Sequence, residues 1–286
     1  MSTQIRRFVA DDGVELVSEI GGRPLKGTVI FAHGGGQTRH SWRSASRALA
    51  QMGWRTVALD LRGHGDSGWS DDGDYRIERF ARDLIGVARE LGDRPSLIGA
   101  SLGGLAGLCA EAVIAPGTFG SLTLVDIIPR IEPAGVAKIM GFMGANLKDG
   151  FASLEEASEC IASYLPHRPK PQDHSGLAKN LRLGADGRYR WHWDPRFVTG
   201  GRARSQLMSD FETRCESIGI PVHLVRGRMS ELVAEDEARH FVARLRYGRF
   251  TDVAGAGHMV AGDENDAFMA AVTGFFANLA QETGHG

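Results

Sequence analysis

A serine set between glycines, Gly99-Ala100-Ser101-Leu102-Gly103, is the group in this chain whose setting most plainly allows nucleophilic chemistry. The buried-strand run Pro95-Ser96-Leu97-Ile98 precedes it, and Leu105, Leu108, Cys109 and Ala112 follow at helical spacing. A strand that turns directly into a helix leaves the turning residue at the carboxyl edge of the sheet, its hydroxyl outward, and the small flanking residues let the backbone bend sharply and pack closely. In a chain with 38 glycines the five-residue pattern alone does not separate a nucleophile from a glycine-rich turn. Two other segments supply the missing context. His33-Gly34-Gly35-Gly36 follows the apolar run Thr28 to Ala32, and a stretch without side chains there can turn backbone N–H groups toward a developing oxyanion, a flexible loop being the lesser reading of the motif alone. In Gly255-Ala256-Gly257-His258 an imidazole sits in a glycine-flanked loop after the last strand, free to swing over the sheet edge and to accept a proton near neutral pH.

The elements that must position these groups alternate. Arg7 to Ala10 and Val14 to Ile20 flank Asp11-Asp12-Gly13 as a hairpin, and Thr28 to Ala32 and Trp54 to Leu59 read as strands on either side of a helix from Ser41 to Met52. A helix over Ile77 to Leu91, the strand Ser96 to Gly99 and the apolar run Phe119 to Val125 continue the pattern. It resumes late in the chain with a strand over Val222 to Arg226, a helix over Glu235 to Leu245, a strand over Arg249 to Val253 and a helix over Asp266 to Leu279. Alternation of this kind predicts an α/β fold, a mostly parallel sheet with helices on both faces. From Pro129 to Ser205 the pattern stops, which predicts an inserted helical and loop-like segment without a convincing buried strand, leaving 1–128 and 206–286 as the core. Within it Ser153-Leu154-Glu155-Glu156 has capping-box spacing for a helix to Tyr164, Pro166 to Pro171 is a proline-broken linker carrying His167, Arg168 and Lys170, and Trp191-His192-Trp193 is an aromatic patch.

Together, the four segments His33-Gly34-Gly35-Gly36, Asp60-Leu61-Arg62-Gly63-His64-Gly65-Asp66-Ser67, Gly99-Ala100-Ser101-Leu102-Gly103 and Gly255-Ala256-Gly257-His258 resemble the α/β-hydrolase superfamily, a likeness that covers the chain outside the insertion. The family order of nucleophile, acid and histidine also fits. The resemblance implies Ser101 as nucleophile, His258 as general base, and the N–H groups of Gly35 and Leu102 as the oxyanion hole. It offers two acids to orient the Nδ1 proton of His258: Glu231, after the strand ending near Arg226, and Asp126, after Leu124-Val125. The sequence leaves the choice open, with the other carboxylate structural. His64 reads as a brace for the loop beside the site and His223 as a satisfied strand residue, and no histidine spacing marks a metal site. Relatives of this fold that open epoxides or remove halides use an aspartate nucleophile, and no carboxylate occupies position 101.

In the family an insertion at this place forms a lid, which implies that Met140, Phe142, Met143, Tyr164, Trp191 and Trp193, together with Gly34, line an apolar pocket. The expected activity is cofactor-free hydrolysis of a small hydrophobic carboxylic ester through an acyl-enzyme on Ser101. A lactonase, a carbon–carbon bond hydrolase or a perhydrolase would need the same residues, and a receptor that keeps the pocket without turnover is the reading from another class. With 33 basic and 35 acidic residues, a net charge of −2 gives no electrostatic reason to expect nucleic acid or a membrane surface as partner. Cys109, Cys160 and Cys215 are an odd number without metal-ligand spacing, which points to a reducing compartment. The early acidic pair Asp11-Asp12 interrupts any signal-peptide core, and the uncharged stretch Pro95 to Ala110 is too short and glycine-rich to span a bilayer, so a cytoplasmic protein is expected. The sequence leaves the oligomeric state open, a homodimer included, as it does the identity of the ester and any motion of the lid.

Overall fold

The strand-forming runs come together as one eight-stranded sheet in the computed structural model, which describes residues 3–164, 177, 180–200, 210–263 and 265–283. Strands β1 (Gln4–Val9) and β2 (Glu15–Gly21) form the expected hairpin, Val9 opposite Glu15, with Gly13 supplying a φ of +86° in the turn. Next come β3 (Thr28–Ala32), a 3₁₀ turn over Arg39–Trp42, α1 (Arg43–Gln51), β4 (Arg55–Leu59), α2 (Ile77–Leu91), β5 (Ser96–Ala100) and α3 (Leu102–Cys109), which runs on as a π-helical turn over Ala110–Ile114. β6 (Leu122–Val125) precedes the inserted elements α4 (Pro133–Gly144), α5 (Leu154–Tyr164), β7 (Leu181–Leu183), β8 (Tyr189–Trp191) and α6 (Pro195–Thr199). The chain then forms α7 (Phe211–Glu216), β9 (Val222–Gly227), α8 (Glu235–Ala243), β10 (Gly248–Val253), α9 (Val260–Asp263) and α10 (Asn265–Thr283).

Across the sheet the order is β1-β2-β4-β3-β5-β6-β9-β10, antiparallel from β1 to β4 and parallel thereafter. Parallel strands covered on both faces must be apolar on both, and β3 and β6 are buried throughout. Val29, Phe31, Ile98 and Val225 pack against Trp42, Leu49, Phe268 and Val272 on the α1 and α10 side; Ile30, Leu97, Leu124 and Leu224 pack against Phe80, Leu84 and Leu108 on the α2 and α3 side. From β3 the chain moves outward to β4, then returns on the other flank of β3 as β5. The carboxyl ends of β3 and β5 therefore diverge at a topological switch point, where a crevice opens.

Helix α1 starts at Arg43 rather than Ser41 because Arg39–Trp42 wind as the tighter 3₁₀ turn. Half of the capping box forms, Glu156 N–H donating to Ser153 Oγ at 3.2 Å, while the Glu156 carboxylate accepts from Ala152 N–H, one residue before the Ser153 N–H that the full box would use. The insertion, however, contains strands. β7 and β8 pair antiparallel around a turn in which Gly184 N–H donates to the Arg188 carbonyl and Gly187 has a φ of +76°. Three residues per strand are too few for alternation to show in sequence, and in β8 only Trp191 is fully buried. The linker Pro166 to Pro171, with its His167, Arg168 and Lys170, and the end of the insertion at Ser205 lie outside the described residues. Among the described residues no helix is long and apolar enough to cross a membrane.

Candidate active site

Ser101 is the first residue past β5 and bends the chain itself, with φ +45° and ψ −109°. Such a backbone is sparsely populated by residues with a Cβ and is held only when the surroundings over-determine it. Ser101 N–H donates to the Val125 carbonyl at 3.2 Å, and Leu105 N–H donates to the Ser101 carbonyl at 2.9 Å, fixing both sides of the turn. The flanking glycines serve close approach rather than the bend. A Cβ at Gly103 would lie 2.4 Å from the Ala32 carbonyl oxygen, and one at Gly99 would lie 2.6 Å from the Gly103 carbonyl carbon. Strand β3, strand β5 and helix α3 thus meet with backbone against backbone, and the serine is pinned at the sheet edge.

One strand over, Asp126 occupies the equivalent position past β6 and also has a left-handed backbone, φ +50°, which aspartate tolerates. Its N–H donates to the Val225 carbonyl at 2.8 Å. The carboxylate is fully buried and three donors converge on it: Gly227 N–H on Oδ1 at 3.1 Å, and Ser230 Oγ–H at 2.5 Å and His258 Nδ1–H at 2.7 Å on Oδ2. Because Nδ1 carries that proton, the lone pair of the His258 ring lies on Nε2. Glu231 has a different environment. Its side chain is 65% exposed and pairs with Lys138 at 2.5 Å. The structure brings His258 to Asp126. Ser230, three residues past the end of β9, had no signal in the sequence as a partner of either group.

The glycine run after β3 is held by its neighbours. Leu61 N–H donates to His33 Nε2 at 3.0 Å, so the proton resides on Nδ1, which donates to the Gly34 carbonyl at 2.8 Å. Burial pushes the His33 imidazolium down to about 3, leaving a neutral ring with one tautomer. Gln37 closes the other side: its Oε1 accepts from Gly34 N–H at 2.9 Å, its Nε2 donates to Met259 Sδ at 3.1 Å, and its own N–H reaches the Gly34 carbonyl at 3.1 Å. In a trans peptide the Gly34 carbonyl and Gly35 N–H point in opposite directions, so fixing one aims the other. Leu102 N–H opens α3 and has no carbonyl four residues back within the helix. His64, as expected, braces the neighbouring loop, buried and donating from Nδ1 to the Arg62 carbonyl at 2.9 Å. His223 lies in β9 with Nε2 2.9 Å from Thr251 Oγ1.

Ser101 and His258 border one cavity of about 570 Å³, within the usual range for small-molecule sites. Gly34, Gly35, Leu102, Met140, Phe142, Met143, Tyr164, Trp191 and Trp193 all line it. Phe142 stacks on Tyr164 with ring centroids 4.3 Å apart, and Trp191 on Trp193 at 4.7 Å. The insertion also reaches the glycine run: a Cβ at Gly35 would meet Phe197 at 3.4 Å, and one at Gly36 would meet Met143 at 3.2 Å and Trp193 at 3.3 Å. Phe197 and Gln37 were not singled out from sequence and His192 was read only as part of the aromatic patch, because the reach of Phe197 to Gly35, of Gln37 to Met259 and of His192 to Gly36 joins segments more than a hundred residues apart.

A family model described as "Alpha/beta hydrolase family" matches residues 29–271. The chain is 30% identical to Esterase Rv0045c of Mycobacterium tuberculosis over 257 residues, covering 86% of this chain and 81% of that protein. It is 25% identical to the 3-hydroxybutyrate-oligomer hydrolase of Cupriavidus necator over 248 residues, 80% of this chain and 82% of that one. Among solved structures, the M. tuberculosis esterase Rv0045c superposes with a TM-score of 0.75 at 27% identity, over 96% of this chain and 92% of that one. E-2-(acetamidomethylene)succinate hydrolase superposes with a TM-score of 0.81 at 24% identity, over 96% and 100%, a likeness of fold.

Proposed function

The chain belongs to the alpha/beta hydrolase family and is a carboxylic ester hydrolase; from that premise we propose that it works through an acyl-enzyme on Ser101, with His258 as general base and Asp126 as the acid of the triad. The observation that carries this reading is the 2.7 Å hydrogen bond from His258 Nδ1–H to a fully buried Asp126, one strand away from a serine in a strained turn. In the proposed reaction Ser101 Oγ attacks the ester carbonyl while His258 Nε2 takes its proton. Asp126 holds the ring in the tautomer that leaves Nε2 free and stabilises the imidazolium that results. The carbonyl oxygen, now an oxyanion, receives Gly35 N–H and Leu102 N–H. His258 returns the proton to the leaving alcohol, and the same base then activates water to release the acid.

The cavity's apolar wall of Met140, Phe142, Met143, Tyr164, Trp191 and Trp193 supports a small hydrophobic ester as substrate. Among the described residues no carboxylate lines the cavity. A cytoplasmic setting suits the three free thiols Cys109, Cys160 and Cys215.

A fluorophosphonate probe should label the native protein and fail to label Ser101→Ala; equal labelling of both would remove Ser101 from the reaction. p-Nitrophenyl esters of increasing acyl length, assayed on the same preparation, should show turnover with a maximum set by the depth of the pocket. Stoichiometric binding without product across the series would favour a receptor instead.

A further inference from the structure

His192 lies in the insertion, directly after β8 and between the two stacked tryptophans, and is 2% exposed. Its hydrogen bonds fix its tautomer. Gly65 N–H donates to Nδ1 at 2.7 Å, so the ring proton is on Nε2, and Nε2–H donates to the Gly36 carbonyl at 3.3 Å. Burial holds the ring far below the usual histidine range, at about 3, so this arrangement persists at any pH where an esterase works. The backbone N–H of His192 donates to the Asn180 carbonyl at 3.1 Å, so its backbone is held by the inserted segment while its ring reaches the core.

Gly36 follows the residue whose N–H is assigned to the oxyanion. Three consecutive glycines are the most conformationally free backbone a protein can use, and an oxyanion donor must be held within roughly 0.5 Å and 10–20° of its productive position. The restraint therefore has to come from outside the run. On the near side His33 and Gln37 fix both ends of the Gly34 peptide units. On the far side, among the described residues, His192 is the side chain that hydrogen-bonds the Gly36 carbonyl. The 3.2 Å and 3.3 Å approaches that a Gly36 Cβ would make to Met143 and Trp193 show how tightly the insertion closes on this residue.

We propose that His192 is a positioning residue for the oxyanion hole: through Nε2–H it holds the Gly36 carbonyl, and so keeps Gly35 N–H aimed at the oxygen that becomes negative. This rests on the reading of Gly35 as an oxyanion donor. The insertion then does more than cover the substrate, since the docked hairpin adds a restraint at Gly36 to those that His33 and Gln37 supply from the core.

Two substitutions separate this role from a purely structural one. The amide of His192→Gln can place an N–H near the site of Nε2 and keep the bond to Gly36, whereas His192→Asn keeps an acceptor for Gly65 N–H and is too short to reach Gly36. The expected result is that His192→Asn lowers kcat by roughly 10- to 100-fold with KM within about twofold, while His192→Gln stays within about fivefold of wild type. Affinity for an alkyl trifluoromethyl ketone, which adds to Ser101 Oγ as a hemiketal while the proton passes to His258, should fall in His192→Asn by the same factor as kcat. A His192→Asn variant that keeps wild-type kcat and ketone affinity would overturn the proposal, as would equal losses in both variants that follow thermal stability. Should His192→Asn fail to fold, His192→Ala with added imidazole takes its place: return of kcat at constant KM supports the role, and no return overturns it. Fluorophosphonate labelling of Ser101 in the wild type keeps the two readings apart. A labelled wild type with indifferent His192 variants defeats this inference alone.

Discussion

Two carboxylates compete for His258 in the primary sequence, and their surroundings predict opposite responses to amidation. Asp126→Asn keeps the shape of a buried group but replaces an acceptor facing His258 Nδ1 and Ser230 Oγ with an amide that can present N–H to one of them, so the ring loses its tautomer. We expect kcat to fall by roughly 10³-fold or more at unchanged fold, as for other triads with this change. Glu231→Gln breaks an exposed pair with Lys138, and kcat and stability should both stay within the small range of surface ion pairs, about 1 kcal/mol or less. Steady-state kinetics on the two variants checks both expectations, and a large kcat loss in Glu231→Gln would reverse the assignment. Of the proposed triad, Ser101 and His258 were legible in sequence because local patterns surround each of them. The acid was not, because its choice depends on which strand end lies beside β5, and β6 takes that place through a pairing in which Ala100 stands opposite Val125. Linear distance along the chain carries no trace of that register.

At the scale of elements, the stretch Trp191-His192-Trp193-Asp194 fastens the insertion to the core. Asp194 N–H donates to the Gly63 carbonyl at 2.9 Å, its carboxylate accepts from Tyr75 Oη–H at 2.6 Å and caps α6 through Arg196 N–H at 2.9 Å, and Arg196 reaches back to the Ser70 carbonyl at 2.7 Å. Asp194→Ala would leave the buried Tyr75 hydroxyl and the first turn of α6 without an acceptor, costing about 2 kcal/mol, against about 1 kcal/mol for Tyr75→Phe. Urea unfolding of both single variants and the double variant should show that the losses do not add, since the two residues share one bond. Full additivity would place Tyr75 and Asp194 in independent roles. Elements of this kind divide by length in how well they can be read. The fifteen-residue α2 matches its sequence bounds, because two faces of opposite polarity repeat over four turns. The three-residue β7 and β8 offer no such repetition, and their pairing depends on Gly187 and on a bridge from Phe151 to Tyr189.

For the whole molecule, four histidines kept neutral by burial lower stability in acid, against the opposite and smaller pull of one buried carboxyl, Asp83, which burial raises to about 6. His33, His64 and His192 are pushed down to about 3 and His223 to about 4, whereas the unfolded chain protonates them near 6.5. Between these limits the unfolded state binds more protons, so stability rises with pH and is lost as pH falls below about 6.5, by up to about 1.4 kcal/mol per pH unit for each histidine. Denaturation midpoints measured from pH 7.5 to pH 4.5 should fall accordingly, and His223→Gln should flatten the slope by about one proton; a pH-independent midpoint would show that these rings are solvated. At this scale the sequence was most informative, since the order of strands and helices around an apolar parallel sheet follows from continuous runs such as Thr28 to Ala32 and from helical periods that survive any error at their ends. The left-handed turn at Ser101 has a consequence for selection as well as for catalysis. A conformation suited to glycine, kept by a residue with a Cβ, opposes folding by about 1–3 kcal/mol, so the chain carries its proposed nucleophile against its own stability. Ser101→Gly should therefore melt higher than Ser101→Ala, although glycine ordinarily costs about 1 kcal/mol relative to alanine. On the proposed role of Ser101 both variants would be inactive, and selection for stability alone would favour replacing the serine.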